Sequence, residues 1–337
     1  MRILGIESSC DECSAAVVED GRRVLSNIVL SQVDFHKPYY GVVPEIASRK
    51  HIEWIRPVVE DSLKEAGTSA REIDAVAVTF RPGLIGSLLV GLSFAKGLAW
   101  ALGKPLIGVD HILAHLYAPH LERDIDYPYL GLLVSGGHTI IARVERYDRI
   151  VVLGTTIDDA CGEAFDKVAK HYDIGFPGGV AIDRLSKSGN PRAFHFPKPS
   201  LHKGEAFYDV SYSGLKTAVI HQSGQFWDGK SEKSVANIAA SFQKAAIDIL
   251  VDRTLAAAAD MGLRRIVAGG GVAANSYLRA RMAAEPGIEV IFPSLKLCTD
   301  NAAMVAGFAC HALMEGKVSD FTLNAEARVP MFKRKYP

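Results

Sequence analysis

The sequence predicts an α/β protein made of two related lobes, and two observations support this prediction. Short apolar runs typical of β-strands alternate with longer segments of helical periodicity, as expected where helices cover a sheet. Each half of the chain also opens in the same way, with a β-meander whose first turn is small and polar, followed by strand–turn–helix units. We therefore expect one lobe design to occur twice.

The first half begins with three predicted strands, because β-prone runs are separated there by polar turns and by Asp20-Gly21. Its predicted strands are residues 2–6, 14–18, 23–30, 74–79 and 106–109. A helical pattern starts at about Pro44, and Pro57 should kink or split that helix because its ring removes a backbone donor. Asp110 follows the last of these strands and is a candidate helix N-cap.

The second half repeats this order. Its predicted strands are residues 129–134, 140–144, 149–155, 265–268 and 289–292. A glycine run follows the fourth of these strands, and a helix should begin near Ala274. The segment 298–301 then leads into a last buried helix.

Residues 84–102 are nearly all apolar and are long enough to resemble a membrane span. They contain Lys96 and two serines, and they follow a predicted strand through a Pro-Gly turn. Since a helix that is apolar on all sides is commonly buried in a large core, we expect a buried core helix and no membrane association.

Composition limits the classes of function. The 337 residues suit about two domains. Lys plus Arg and Asp plus Glu both number 38, so no field over the whole surface attracts nucleic acid, and any such contact needs local patches or a partner. Five cysteines, an odd number, and an N-terminus without a signal-peptide pattern predict a reduced, cytoplasmic setting.

Two histidines form a candidate metal site. His111 and His115 are four residues apart and therefore share one helix face, so both imidazoles can reach one metal. Asp300 is a candidate third ligand that opens a later helix. Two histidines and a carboxylate suit Fe(II) or Zn(II). The alternative is two ordinary histidines, and the HExxH protease signature is absent because no Glu follows His111.

Glycine-rich turns are candidate phosphate sites. Ser135-Gly136-Gly137 can expose backbone N–H groups to an anion, although a plain hairpin turn has the same sequence pattern. Gly269-Gly270-Gly271 lies between a strand and a helix, and Asn275 can bind a ligand there or merely cap the helix.

Two further segments carry carboxylates, and one carries a cysteine pair. Asp166 and Asp183 can accept hydrogen bonds from ribose hydroxyls, while a solvated helix face is the alternative. Cys10 and Cys13 form a lone CxxC. Without a second such pair a structural zinc site is not expected, and a redox dithiol is the alternative.

Taken together, ten motifs resemble one family, the tRNA threonylcarbamoyladenosine synthesis transferases of the bacterial and organellar type. The motifs, which occur in the same order over essentially the whole chain, are GIESSCDE, YGVVPEIASRKH, RPGLIGSLLVG, HILAH, LLVSGGHT, DDACGEAFDK, FPGG, YSGLKTA, GGGVAAN and CTDNAAM. The implied fold is two-lobed and actin-like or Hsp70-like (ASKHA), with duplicated ribonuclease H-like lobes and a nucleotide and metal cleft between them. We expect an N-terminal lobe of residues 1–117 plus 297–337 and a C-terminal lobe of residues 118–296.

The resemblance also implies roles for particular residues. His111, His115 and Asp300 match the metal ligands. The positions that match adenylate-substrate contacts are Leu133, Val134, Ser135, Gly136, Gly137, Asp166, Gly179, Asp183 and Asn275. Asp11, Glu12 and His138 lie in motif loops that should face the cleft, and the general base is expected among these three.

The implied reaction transfers threonylcarbamoyl from threonylcarbamoyl-AMP to the N6 amine of the adenosine 3′ of the anticodon, in tRNAs that read ANN codons. One divalent metal per subunit is implied, with Fe(II) favoured over Zn(II). ATP or ADP is an alternative occupant of the cleft.

The implied partners are tRNA, a smaller paralogue that lacks the metal site, and a small P-loop ATPase, with a homodimer as the state of the isolated chain. The first N-lobe helices are the expected docking face. Candidate basic contacts for RNA are Arg22, Arg23, Arg49, Lys50, Lys198, Lys203, Lys333, Arg334 and Lys335.

The chain departs from the family pattern at four positions. Cys13 replaces Thr, Cys161 replaces Ala, and both Tyr40 and Arg81 stand where Gly is expected. Arg81 either contacts RNA or substrate or is a solvated turn residue. Three other functions stay open from the sequence: a small-molecule kinase of the same superfamily, a non-catalytic nucleotide-regulated scaffold, and a metalloprotease.

Overall fold

The structure is a computed structural model that describes residues 1–198 and 207–329. Contacts divide the chain into two compact units. The first unit contains Met1–Ile125 and the described residues from Pro293 onward, and the second contains Asp126–Phe292. The boundaries proposed from the sequence, after 117 and before 297, differ slightly because the turn Ala118–Leu121 packs against the helices Leu295–Cys298 and Ala302–Met314 of the first unit.

The first unit contains one five-stranded sheet and six α-helices among its described residues. The strands are β1 (Arg2–Glu7), β2 (Glu12–Glu19), β3 (Arg23–Ser31), β4 (Ala75–Arg81) and β5 (Leu106–Asp110). The helices are α1 (Val33–His36), α2 (Pro44–Glu65), α3 (Ile85–Leu102), α4 (His111–Tyr117), α10 (Leu295–Cys298) and α11 (Ala302–Met314).

The second unit contains the other sheet and the remaining described helices. Its strands are β6 (Tyr129–Val134), β7 (Thr139–Arg146), β8 (Arg149–Thr155), β9 (Arg265–Gly269) and β10 (Glu289–Ile291). Its helices are α5 (Cys161–His171), α6 (Gly178–Ser186), α7 (Ser213–Gln222), α8 (Val235–Asp260) and α9 (Ser276–Ala283).

The two sheets have the same topology. Their strand orders are β3-β2-β1-β4-β5 and β8-β7-β6-β9-β10. In each, the first strand pairs antiparallel with the second and parallel with the fourth. The duplicated α/β design predicted from the sequence is therefore confirmed, and the predicted strands coincide with the observed ones to within a few residues.

Parallel pairing brings functional positions to one edge of the first sheet. β1 pairs in parallel with β4, and β4 pairs in parallel with β5. The carboxyl ends of these three strands therefore lie side by side. Glu7, Thr79, Arg81 and Asp110 occupy those ends.

The first unit has an apolar core between its sheet and the helices α2 and α3. Leu4, Val76 and Val78 of the sheet pack there with Val58 of α2 and Leu92 of α3. Pro57 lies inside α2 without ending it, so the predicted split of this helix does not occur.

Helix α3 corrects one prediction, because it is a half-buried surface helix and not a fully buried one. Its buried face includes Leu88 and Leu92, and it packs on α2 and β4. Its other face exposes Ile85, Leu89 and Trp100, the last at 77%. Among the described helices it is the one long and apolar enough to cross a membrane by length and composition. Hydropathy alone did not distinguish its two faces because both are apolar.

His120 occupies a buried position beside other basic groups in the first unit. Its ring stacks on Tyr117 with 5.1 Å between centroids. Burial, followed by repulsion from His311 and Arg22, lowers the pKa of His120 to about 4. The folded protein therefore holds His120 neutral down to a pH at which an unfolded chain would protonate it.

We expect this histidine to make stability depend on pH in a defined window. Between the unfolded pKa of 6.5 and the folded value of about 4, the unfolded chain binds more protons, so the free energy of unfolding should fall as pH falls. This pH dependence should amount to a loss of up to about 3 kcal/mol in the free energy of unfolding across the window. His120→Phe keeps an aromatic ring but cannot be protonated, so it should remove this loss. Urea unfolding at several pH values checks this. His221→Phe at an exposed position is the control, and an unchanged slope in His120→Phe would contradict the assignment.

Candidate functional site

Three potential metal ligands meet in the first unit. His111 and His115 lie on one face of α4, as the spacing predicts. Nε2 of His115 lies 3.0 Å from Oδ1 of Asp300, and Nε2 of His111 lies 3.6 Å from the same oxygen. Ligand atoms of all three lie within 4.8 Å of one another, which no other group of three or more His, Cys, Asp or Glu among the described residues achieves. The donor set predicted from the sequence is thus assembled by the fold.

Asp300 does not itself open the last helix. Asn301 is the N-cap of α11, and its side chain accepts a hydrogen bond from the backbone N–H of Met304. The prediction that Asp300 begins this helix was therefore wrong by one residue. The consequence is favourable for a metal site, because the cap is supplied by the amide and the neighbouring carboxylate faces the two histidines.

Glu7 contacts the Nδ1 atom of His111, and sequence reasoning missed this contact. The fully buried carboxylate places Oε2 3.1 Å from Nδ1 of His111. The same oxygen accepts a hydrogen bond of 2.6 Å from Thr79 Oγ1, and Oε1 accepts one of 2.6 Å from the backbone N–H of Ser9. A carboxylate that holds the second nitrogen of a histidine fixes the ring and raises its basicity towards a metal.

Electrostatics around these ligands favour a cation. Burial opposes charge on His111, but the carboxylates of Asp300 and Glu7 outweigh it and raise the pKa of His111 to about 9. Burial, and then the charged His111, lowers the pKa of His115. Burial, together with Asp11 and Asp300, raises the pKa of Glu12 well above its ordinary value. Two imidazole nitrogens and a carboxylate among several acidic groups fit a divalent metal.

The three candidate bases are divided between the two units. Asp11 lies in the turn between β1 and β2, and Glu12 is the first residue of β2, so both belong to the first unit. His138 belongs to the second unit, in the turn between β6 and β7. Asp11 and Glu12 are therefore neighbours in the first unit, whereas His138 belongs to the second unit.

The predicted glycine turn of the second unit leaves its backbone open. Ser135 and His138 close the turn, since the N–H of Ser135 donates to the carbonyl of His138 at 2.8 Å and the N–H of His138 donates to Ser135 Oγ at 3.1 Å. Gly136 and Gly137 between them are exposed. Leu133 and Val134 are buried at the end of β6, where they position the turn.

Two glycines let neighbouring backbones approach this turn. A Cβ at Gly162, in the first turn of α5, would lie 2.8 Å from the Cα of Gly136. Gly270 adopts a φ of +89°, and a Cβ there would lie 2.4 Å from the carbonyl oxygen of Val134. The N-terminus of an eleven-residue helix therefore packs on Gly136, and its dipole favours negative charge nearby. Its first two N–H groups, those of Cys161 and Gly162, donate to Thr139 Oγ1 and the carbonyl of Ser135.

The predicted ribose contacts have structural partners of their own. Oδ1 of Asp166 accepts a hydrogen bond of 2.7 Å from the N–H of Gly178 and so holds the turn before α6. Asp183 accepts one of 2.8 Å from Ser276 Oγ, which links α6 to α9. Gly179 has open space where a Cβ would stand. Asp166 and Asp183 thus fix the two turns that flank this space.

Asn275 is used as a helix cap in the structure. Its side-chain oxygen accepts a hydrogen bond of 2.9 Å from the N–H of Leu278, and its amide donates to Gln243 at 2.9 Å. Of the two alternatives posed by the sequence, the cap is the one that the described contacts display. A ligand contact from Asn275 stays a prediction.

The cysteine pair does not form a disulfide. Cys10 and Cys13 are both free thiols, and Cys13 is buried in the apolar core. Burial raises the pKa of Cys13 to about 12 and that of Cys10 well above its ordinary value. Since reactive dithiols need a lowered pKa, the structure does not favour the redox alternative.

Two sheets of this topology in one chain define a protein of the actin-like, Hsp70-like ATPase fold. A structure of full-length HypF in a phosphate- and nucleotide-bound form matches 94% of this chain and 56% of that chain, with a TM-score of 0.63 and 14% identity. Component A of the (R)-2-hydroxyglutaryl-CoA dehydratase of Acidaminococcus fermentans matches 94% of this chain and 98% of that chain, with a TM-score of 0.56 and 13% identity. At such identities the likeness shows the fold alone.

Sequence comparison identifies the family. The family model for TsaD, tRNA N6-adenosine threonylcarbamoyltransferase, matches residues 23–307. A protein of that name from Treponema denticola is 64% identical over 99% of both chains, and one from Borreliella burgdorferi is 52% identical over 100% of this chain and 96% of its own. The chain belongs to the tRNA N6-adenosine threonylcarbamoyltransferase family, which confirms the resemblance drawn from its motifs.

The support from Glu7 leads to a prediction about metal affinity. Glu7→Gln keeps the size of the side chain but removes the negative charge that polarises His111, so Zn²⁺ affinity should fall roughly 10-fold or more. Titration of the metal-free protein with Zn²⁺ against a chromophoric chelator measures this. Glu60→Gln, on the exposed side of α2, is the control with unchanged affinity. Equal affinities for Glu7→Gln and the unsubstituted protein would exclude the supporting role.

Proposed function

We propose that this chain transfers the threonylcarbamoyl group from threonylcarbamoyl-AMP to the N6 amine of the adenosine 3′ of the anticodon, in tRNAs that read ANN codons, and releases AMP. The observation that carries this proposal is the full-length identity of 64% to a relative with that activity in its name. The assembled ligands His111, His115 and Asp300 and the open glycine turn supply groups that such a transfer needs.

The second unit is proposed to hold the adenylate. Its phosphate carries the negative charge that increases as AMP leaves. The exposed Gly136 and Gly137 provide backbone N–H donors for that charge. The N-terminus of α5 adds a favourable dipole, although the N–H groups of Cys161 and Gly162 already donate to Thr139 and Ser135. Asp166 and Asp183 keep the neighbouring turns in place, and Gly179 leaves room for the nucleoside.

The first unit is proposed to hold one divalent metal through His111, His115 and Asp300, with Fe(II) as the first choice and Zn(II) as the second. When bound, such a metal supplies Lewis-acid polarisation of an oxygen of the substrate. Glu7 keeps Nδ1 of His111 engaged, so that its Nε2 is the nitrogen presented towards Asp300.

Glu12 is the preferred candidate for the base that takes the proton from the attacking amine. Partial burial, with the neighbouring carboxylates of Asp11 and Asp300, raises the pKa of Glu12 above its ordinary value, and a more basic carboxylate is a better proton acceptor. Asp11 and His138 are the alternatives. A slower transfer at saturating substrate in Glu12→Gln, with metal content retained, would agree with this role.

The RNA contact is proposed to use local basic groups. The adenosine lies in a single-stranded loop, where a base can be splayed out and stacked on protein. The described candidates Arg22, Arg23, Arg49, Lys50 and Lys198 each already pair with a carboxylate. Such exposed pairs contribute little, so phosphate can replace the carboxylate. Lys203 and residues 333–335 lie outside the described residues.

The smaller paralogue and the small P-loop ATPase are proposed as partners, in a cytoplasmic setting. Helices α2 and α3 pack together and leave large apolar side chains exposed, namely Ile52 at 66%, Ile85 at 48%, Leu89 at 43% and Trp100 at 77%. We call this surface the α2–α3 face. An apolar patch of this kind is typical of a protein interface, and the same face is proposed to form the homodimer when the chain is alone.

The proposed activity is tested by reconstitution. The chain is combined with the two partners, ATP, threonine, bicarbonate, the enzyme that makes the adenylate, and unmodified tRNA that reads ANN codons. Digested RNA is then analysed for threonylcarbamoyladenosine by mass spectrometry. Product that requires this chain supports the transferase. Absence of product with active controls would instead favour the kinase or scaffold alternative.

His111→Ala and His115→Ala should each remove bound metal and nearly all transfer, because each deletes one of three ligands. Metal content is measured by inductively coupled plasma mass spectrometry, and transfer is measured in the reconstituted assay. His221→Ala, an exposed histidine of the second unit, is the matched control and should retain both. Full transfer by metal-free His111→Ala would refute the metal proposal.

Trp100→Glu and Leu89→Glu should weaken association with the paralogue at least 10-fold, since a charge would be buried in an apolar interface. Both residues are exposed in the chain alone, so folding and metal content should not change. Met314→Glu, an exposed apolar position at the end of α11, is the control. Calorimetric titration gives the affinities, and unaltered binding by both variants would exclude the α2–α3 face.

A further inference from the structure

Arg81 joins two carboxylates from distant parts of the first unit. Its Nε lies 3.1 Å from Oδ2 of Asp110, and its Nη1 lies 3.3 Å from Oε2 of Glu326. The side chains become more buried towards Asp110, with exposed fractions of 46% for Glu326, 24% for Arg81 and 4% for Asp110. One guanidinium therefore connects a surface carboxylate to a buried one.

Asp110 uses its other oxygen to hold the helix that carries the histidines. Oδ1 accepts hydrogen bonds from the N–H groups of Ile112 at 2.9 Å and Leu113 at 3.3 Å. Helix α4 has only seven residues, and helices of this length depend on caps and packing rather than on their own propensity. Any shift of the Asp110 carboxylate therefore shifts the first turn of α4, where His111 lies.

The described residues 319–327, which we call the C-terminal strap, run from the start of β5 to the end of β4. Ser319 pairs with Leu106, and its Oγ accepts a hydrogen bond of 3.0 Å from the N–H of Gly108. Further on, the N–H of Glu326 donates to the carbonyl of Phe80 at 3.0 Å. These contacts hold Glu326 beside Arg81, so the ion pair follows from the course of the strap.

The chemistry of arginine suits this double contact. A guanidinium offers a fixed fork of N–H donors and can bind two carboxylates at once, which a lysine ammonium does less well. Arg81 stands at the position where the sequence pattern leads us to expect glycine. A glycine there would leave Oδ2 of Asp110 without this donor, and the C-terminal strap would lose its link to helix α4, which carries His111 and His115.

We propose that Arg81 is a positioning residue that links the C-terminal strap, through Glu326, to the Asp110 cap and thereby sets how His111 and His115 are presented to a divalent metal. The inference rests on the metal site of the proposed function. In this chain the C-terminal strap then influences the metal ligands through Glu326, Arg81 and Asp110, which are not ligands themselves.

The test uses Co²⁺ as a spectroscopic probe of the full-length, metal-depleted protein, together with hydrogen exchange of the α4 amides without metal. Arg81→Met should weaken Co²⁺ binding roughly 10-fold, alter the visible cobalt spectrum and speed exchange at Ile112 and Leu113. Arg81→Lys should restore part of the affinity. The control is Arg56→Met, which breaks an exposed arginine–carboxylate pair with Glu60 on α2 and should change none of these readouts.

Glu326→Gln tests the strap without risk to folding, because this side chain is about half exposed. It should weaken Co²⁺ binding by a smaller factor of roughly 2 to 3, and it should add nothing in the Arg81→Met background, since the same link is already broken. Independent, multiplying effects of the two substitutions would overturn the proposed chain of contacts.

The outcomes separate this inference from the metal proposal. One outcome is that His111→Ala abolishes cobalt binding, whereas Arg81→Met leaves the cobalt affinity, the spectrum and the exchange of the α4 amides unchanged. This outcome overturns the role of Arg81 but not the metal proposal. A lower melting temperature of Arg81→Met with unaltered cobalt binding also overturns it, because Arg81 would then only stabilise the strap. Absence of cobalt binding by the unsubstituted protein overturns both proposals.

Discussion

The parallel register of β1, β4 and β5 is the constraint on which the candidate metal centre depends. Because these strands run side by side in one direction, their carboxyl ends meet at one edge of the sheet. Glu7 ends β1, Thr79 and Arg81 lie at the end of β4, and Asp110 ends β5. The supports of the histidines therefore come from three separate segments of sequence that only the sheet brings together.

The same constraint operates in the second unit with different chemistry. There β6 pairs in parallel with β9, and their ends carry the turn of Gly136 and Gly137 and the glycine Gly270. Carboxylates and imidazoles at the edge of the first sheet favour a cation, whereas open backbone N–H groups at the edge of the second favour an anion. One duplicated topology thus carries groups of opposite electrostatic preference at the edges of its two sheets.

The balanced charge of this chain gives its surface as a whole no strong attraction for RNA. Positive and negative residues are equal in number, and the basic candidates in the described residues are already paired with carboxylates. The apolar residues exposed on the α2–α3 face contrast with this charged and balanced surface. Contact with tRNA would therefore depend on local basic groups, and the proposed partners are a further source of such groups.

The sequence by itself determined the strands, the duplicated order of elements, the shared helix face of His111 and His115, and the family, because periodicity and motifs are local properties of the chain. Only the tertiary structure decided that α3 exposes one apolar face, that Asn275 caps a helix, and that Glu7 contacts His111 while Arg81 contacts Asp110. These features arise from residues far apart in sequence, for example Arg81 and Glu326, whose proximity depends on sheet register and on the course of the strap. A one-dimensional pattern contains no signal for such pairs, since any buried carboxylate has many sequence-compatible partners and the fold selects one.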